Sequence, residues 1–219
     1  MKKLALLVAA VCMAASVANA QNLLSNGDFN LPGDGSTATG WTAWFWNAGW
    51  ANTEISSPLP GNDGWGSPPP DTWHIAAGAP GDGGGGVYQI VPATAGLSYE
   101  LSVWSGADDW WLPTGTMSMI WLNDLEEIQG DATRTTVDPA VYGENYDIAH
   151  PWELYSLTAP APPGTTQVKV EFAANNATGS VGFDLASLTV VPEPGYLPLL
   201  ALGSALLLGC RSRRNTVRA

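Results

Sequence analysis

The stretch GADDWWLPTG, residues 106–115, sets two carboxylates, Asp108 and Asp109, beside two indoles, Trp110 and Trp111. Flat aromatic rings stack on the apolar C–H faces of sugars, and nearby carboxylates and amides accept hydrogen bonds from the hydroxyls. Trp50 and Trp65 lie in similar company, among Gly, Pro, Asn and Asp. These six residues form the candidate carbohydrate-binding set; their alternative role is to plug the open ends of a sandwich. Trp41, Trp44, Trp104, Trp121 and Trp152 sit in or beside strand-like runs. They are expected to pack in the core or against a sheet face.

Catalytic chemistry finds less support. Asp108/Asp109 and Glu126/Glu127 are adjacent pairs. Neighbours on a strand point to opposite faces, so neither pair makes an acid/base couple. No G-x-S-x-G elbow occurs, and acids from separate loops cannot be matched by sequence. His74 and His150 are far apart, and no cysteine lies between residues 21 and 191, so no zinc set forms. The glycine run at 79–86 is not followed by Gly-Lys-Ser/Thr, so it reads as a hinge and not as a phosphate loop. Asn176-Ala177-Thr178 matches a glycosylation sequon but reads as a polar turn. No catalytic residue is assigned.

The elements that must position these residues are strands. Short alternating runs cut by Gly, Pro, Asn and Asp are an all-β pattern. Strands are expected at 86–93, 97–106, 116–123, 152–159, 166–174 and 180–191, with a first one in NLLSNGDF. In the second run Tyr99, Leu101 and Val103 share one face; in the fifth, Val168, Val170 and Phe172 do. Seven or eight strands suit a β-sandwich or jelly roll. Residues 56–71 and 138–151 read as long excursions.

Both ends differ from the middle. Two lysines, an apolar run and Ala18-Asn19-Ala20 make residues 1–20 a secretory signal. At the other end the apolar run Leu197–Gly209 has thirteen residues, short of the roughly 20 that span a bilayer comfortably. Arg211, Arg213 and Arg214 follow it and would hold that end in the cytoplasm. The tail therefore reads as a transient inner-membrane anchor. The domain is expected at 21–191 and the tail at 192–219. Cys12 and Cys210 both lie in the terminal segments, so disulfides do not hold the domain.

Residues 21–191 carry nineteen Asp and Glu against Arg134 and Lys169, a formal charge of −17, while the whole chain carries −12. Such a surface repels nucleic acid and suits calcium, cationic partners or extracellular solubility.

Two resemblances follow from these residues. Pro192-Glu193-Pro194, an apolar helix and an Arg-rich end resemble the PEP-CTERM sorting signal of Gram-negative bacteria. That resemblance implies processing by an exosortase-type enzyme, then release or display at the cell surface, often beside exopolysaccharide. The opening NLLSNGDFN, GWTAW at 40–44, the central VYQIVPATAGLSYELSVWSGAD and the late VGFDLASLTVV resemble family 4/9-type carbohydrate-binding modules. These have a galactose-binding-like jelly roll, which implies a structural calcium joining the first strand to the last. The matching positions are Asn30, where the family usually has Glu, and Asp184, with Asp28 a neighbour on the same strand face. No other cofactor is expected.

The combined expectation is an exported surface or matrix protein with a non-catalytic carbohydrate-binding-like module. Polysaccharide or extracellular matrix is its expected partner. A structural surface protein without a small ligand is one alternative; a glycoside hydrolase or other polysaccharide-active enzyme is another.

Overall fold

Valines, methionines and aromatics recur at every second position through the middle of the chain. A computed structural model shows where those faces turn. It describes residues 21–31, 37–47, 49–55, 73–78, 83–107, 114–138, 150–175 and 180–191. The signal segment 1–20, the tail 192–219 with its Pro192-Glu193-Pro194 motif and arginines, and most of the two long excursions lie outside the described residues.

Every regular element among the described residues is a strand. In chain order these are β1 (Thr42–Trp46), β2 (Trp50–Ile55), β3 (Trp73–Gly78), β4 (Gly84–Pro92) and β5 (Ser98–Ala107). They are followed by β6 (Thr114–Leu122), β7 (Ile128–Val137), β8 (His150–Pro160), β9 (Gln167–Asn175) and β10 (Ser180–Val191). Sheet I has the order β1-β4-β9-β6-β7 and sheet II the order β2-β3-β10-β5-β8. The ladders β1–β4, β4–β9, β6–β9, β6–β7, β2–β3, β3–β10 and β5–β8 are antiparallel, and the two sheets make a β-sandwich of jelly-roll type. Consecutive strands repeatedly change sheets, so most ladders join segments distant in sequence.

Alternation decides the layers. Val87 and Val91 of β4, Met117, Met119 and Trp121 of β6, and Val168, Val170 and Phe172 of β9 are buried on the inner face of sheet I. Ile75, Tyr99, Leu101, Val103, Val181 and Phe183 answer them from sheet II. Phe172 stacks on Phe183 at 5.3 Å across the two layers, and Trp41 joins Phe172 at 5.5 Å and Phe29 at 5.1 Å. Each fully buried ring of this kind contributes about 1.5–3 kcal/mol of apolar transfer. Buried Tyr99 keeps its hydroxyl satisfied by accepting the Thr94 amide at 2.7 Å.

β10 changes phase midway. Val181 and Phe183 face inward, then Ala186 and Leu188 do, a shift of parity that needs one extra residue. Leu185 supplies it with φ 50, and the preceding Asp184 is fully buried. An uninterrupted strand was the expectation from the sequence.

Other expectations change too. NLLSNGDF is not a strand: Asn26–Phe29 forms a turn, with the Phe29 amide on the Asn26 carbonyl at 3.1 Å and both residues at positive φ. Asp28 is exposed in that turn and shares no strand face with Asn30. Gly84–Gly86 are not hinge but the first residues of β4. β1, β2, β3 and β7 lie outside the runs expected as strands. β7 is a polar edge strand, so it carries little inward alternation to detect.

Candidate functional site

β1 reads TAWFW. Ala43 packs against the core, so Thr42, Trp44 and Trp46 share the opposite, outer face of sheet I. Trp44 pairs with Gly86 and Trp46 with Gly84 on β4. Both glycines have a spatial reason. A Cβ on Gly84 would lie 2.5 Å from Trp46 Nε1, and one on Gly86 would lie 3.0 Å from Trp44 Nε1. The two indoles therefore rest over the glycine backbone. Side chains two apart on a strand are roughly 7 Å apart along it, so the two indoles stand side by side on one face.

Beyond the glycines the outer face continues onto β9. The register sets Asn175 beside Gly84, Ala173 beside Gly86, Glu171 beside Tyr88 and Lys169 beside Ile90. On β6 it then brings Thr116 next to Ala173, Ser118 next to Glu171 and Ile120 next to Lys169. Ser118 and Thr133 of β7 exchange a hydroxyl hydrogen bond of 3.0 Å. With the indoles lying over Gly84 and Gly86, and Asn175 Oδ1 also crowding the Cβ position on Gly84, the rings border a row of hydroxyl, amide and carboxylate groups on β9 and β6. Lys169 Nζ lies 2.5 Å from Glu171 Oε2 and 4.5 Å from the Tyr88 ring centroid.

Trp46 is 46% exposed and Phe45, on the other side of the edge strand, 66%. Trp44 is half-buried, and its Nε1 is buried with no hydrogen-bond partner among the described residues. Its ring lies down on the sheet and offers a face, not its N–H, to whatever docks there.

The sequence-derived sugar set is placed as follows. Trp65, Asp108, Asp109, Trp110 and Trp111 lie outside the described residues. Trp50 begins β2, in sheet II. Trp41 and Trp121 are core residues, whereas Trp104 and Trp152 are half-buried in sheet II. Trp44 packs on a sheet face, one of the two roles expected of it. Trp46, Gly84, Gly86, Tyr88, Lys169, Glu171 and Asn175 were missed as site residues. Their signal was available: the W-x-W spacing of Trp44 and Trp46 puts two indoles on one face of any strand.

Of the paired acids, Glu126 and Glu127 sit in the exposed β6–β7 turn. Glu127 accepts a hydrogen bond from Asn123 Nδ2 at 2.8 Å, and the Asn123 Oδ1 receives the Leu125 and Glu127 amides, each at 2.9 Å. That is a self-contained turn with solvated charge.

The expected calcium pair occupies two segments that meet. The Ala186 amide donates to the Gly27 carbonyl at 2.7 Å, which ties the turn preceding Asn30 to β10 just after Asp184. Asp184 Oδ1 accepts the Leu185 amide at 2.7 Å, and Asn30 is half-buried. No cluster of three or more His, Cys, Asp or Glu occurs among the described residues. A calcium here would need backbone carbonyls for most of its oxygens, which that ion accepts.

Fold and face together define a jelly-roll β-sandwich with an aromatic, hydroxyl-rich outer sheet. Among solved structures, the chain is similar to the enzymatically active domain of tailspike protein 4 of bacteriophage CBA120, with TM-score 0.55 and 14% identity over 78% of this chain. It is also similar to the CBM22-1–GH10 modules of Clostridium thermocellum xylanase 10B, solved with xylohexaose, with TM-score 0.51, 14% identity and 80% coverage. A third is the CBM22-1 xylan-binding domain of Paenibacillus barcinonensis Xyn10C, with TM-score 0.50, 12% identity and 78% coverage. The chain spans 21% of the tailspike protein and 29% of the two-module xylanase, but 96% of the isolated xylan-binding domain. At these identities the likeness is one of fold. No sequence-family profile and no curated protein sequence matches the chain.

Proposed function

We propose that this chain is an exported, non-catalytic polysaccharide-binding protein whose sugar face is the outer side of sheet I. The observation that carries the reading is the placement of Trp44 and Trp46 over Gly86 and Gly84, facing a polar row on β9 and β6. Two adjacent aromatic faces, beside hydroxyl and amide partners, suit the rings of a glycan chain. The fold shared with a xylan-binding domain is compatible with this reading. Trp50 of β2, together with Trp65, Trp110, Trp111, Asp108 and Asp109, is proposed as a second set of contacts.

Export by the signal segment, inner-membrane anchoring by the tail and exosortase-type processing near Pro192-Glu193-Pro194 belong to the same proposal. So does one structural calcium at Asp184 and Asn30. Under that reading a chelator lowers the melting temperature, and an unchanged value removes the metal.

The test of binding is affinity electrophoresis of the chain through gels containing soluble xylan, β-glucans, galactans and bacterial exopolysaccharides. Retardation by at least one polymer, lost in Trp44→Ala and Trp46→Ala, is expected. Migration unaffected by every polymer would overturn the reading.

A further inference from the structure

Between residues 21 and 191 only Arg134 and Lys169 carry a fixed positive side chain, against nineteen carboxylates. Both cations already have partners. Arg134 lies on β7, at the flank of the sandwich. Its Nη1 donates to the Ser156 carbonyl of β8, and its guanidinium carbon is 5.3 Å from the Tyr155 ring centroid. It closes the gap between two edge strands and lies away from the Trp44–Trp46 row.

Lys169 is the cation on the sugar face. Its ammonium is held 2.5 Å from Glu171 and over the Tyr88 ring, and the two charged side chains are only 26% and 18% exposed. Glu171 is tethered two residues away on the same strand, so its effective concentration at Lys169 far exceeds that of a dissolved ligand. A sugar carboxylate arriving there would have to displace Glu171 and leave it unpaired. One row further, Asp131 of β7 stands opposite Ile120 and adds another negative group to the face. His74 and His150 lie on strands of sheet II.

From this we infer that the face selects uncharged glycans and rejects carboxylated ones, a specificity resting on the polysaccharide-binding reading above. The remaining partners on the face, Thr116, Thr133, Asn175 and Tyr88, are hydroxyls and an amide, matched to sugar hydroxyls; Ser118 is buried beneath them and bonded to Thr133. At long range the −17 charge repels polyanions. Recognition then forms no ion pair with the ligand and responds weakly to salt.

The experiment compares two polymers with one backbone, hydroxyethyl cellulose and carboxymethyl cellulose, and likewise neutral xylan and glucuronoxylan. Affinity gels are run with EDTA present to remove bridging cations. The neutral member is expected to bind at least about tenfold tighter, with less than about a twofold change between low and high salt. Equal or stronger retardation by the carboxylated member overturns the inference and leaves polysaccharide binding standing. Absence of retardation by either member of both pairs, and by every other polymer tested, removes the binding proposal itself and this inference with it. Glu171→Gln provides a second arm, because it frees Lys169. Binding of the carboxylated member should rise by about tenfold and become salt-sensitive. If the folded variant gains nothing, the Lys169–Glu171 pair does not set the specificity.

Discussion

The indole of Trp46 lies across Gly84, with its Nε1 2.5 Å from the point a Cβ on that glycine would occupy. The ring can lie there only because the residue beneath it has no side chain. Since Trp46 is 46% exposed, Trp46→Ala should leave stability within about 0.5 kcal/mol. Glycan affinity should fall roughly ten- to hundredfold, the range of a hot-spot aromatic. Urea unfolding and affinity electrophoresis on the same variant separate the two effects.

Gly86 is more constrained than Gly84. An added Cβ would meet the Phe172 carbonyl oxygen and the Ala173 Cα, both of them backbone. Gly86→Ala should therefore cost about 1–3 kcal/mol, because β4 and β9 must separate to admit it. Gly130→Ala is the control. Its Cβ would meet nothing closer than Pro162 Cγ at 3.4 Å, so the urea midpoint should barely move.

Gln89 clasps the N-terminal segment to sheet I. Its Oε1 accepts the Ser25 amide at 2.9 Å, while Nε2 donates to the Ser25 and Gly40 carbonyls at 3.1 and 3.0 Å. Gln89→Leu keeps much of the volume and strands three backbone groups. A loss of about 2–3 kcal/mol is expected, read as a lower melting temperature. Thermal stability equal to wild type would show that water replaces the clasp.

Arg134→Met retains an apolar stem and removes the bond to Ser156 and the contact with Tyr155. Stability should drop by about 1 kcal/mol. The uncovered carbonyl lies on an edge strand, so the variant should also aggregate faster on heating. Light scattering during a thermal ramp measures this directly.

Much of the sandwich is legible in the sequence. Tyr99, Leu101 and Val103 alternate inward, as do Val168, Val170 and Phe172, because central strands bury one face and their sequences must show it. β7 escaped notice for the converse reason: an edge strand with little buried surface has no period to impose. The segment Asn26–Phe29 reads as strand in the sequence because Leu23, Leu24 and Phe29 are apolar, but the Asn-Gly pair between them is turn chemistry, and the turn wins.

What the sequence determined by itself was local. It set the strand periodicity, the excess of carboxylates and the scarcity of cations, since each depends only on residue type and order. The tertiary structure decided which distant residues share a face. Gly84 meets Trp46, Lys169 comes beside Ile90 and Ile120, and Arg134 reaches Ser156, all through strand order and register. A one-residue slip would send every one of those side chains to the opposite side of its sheet. No composition or spacing within a single segment encodes that choice, because it is settled by the mutual burial of two sheets.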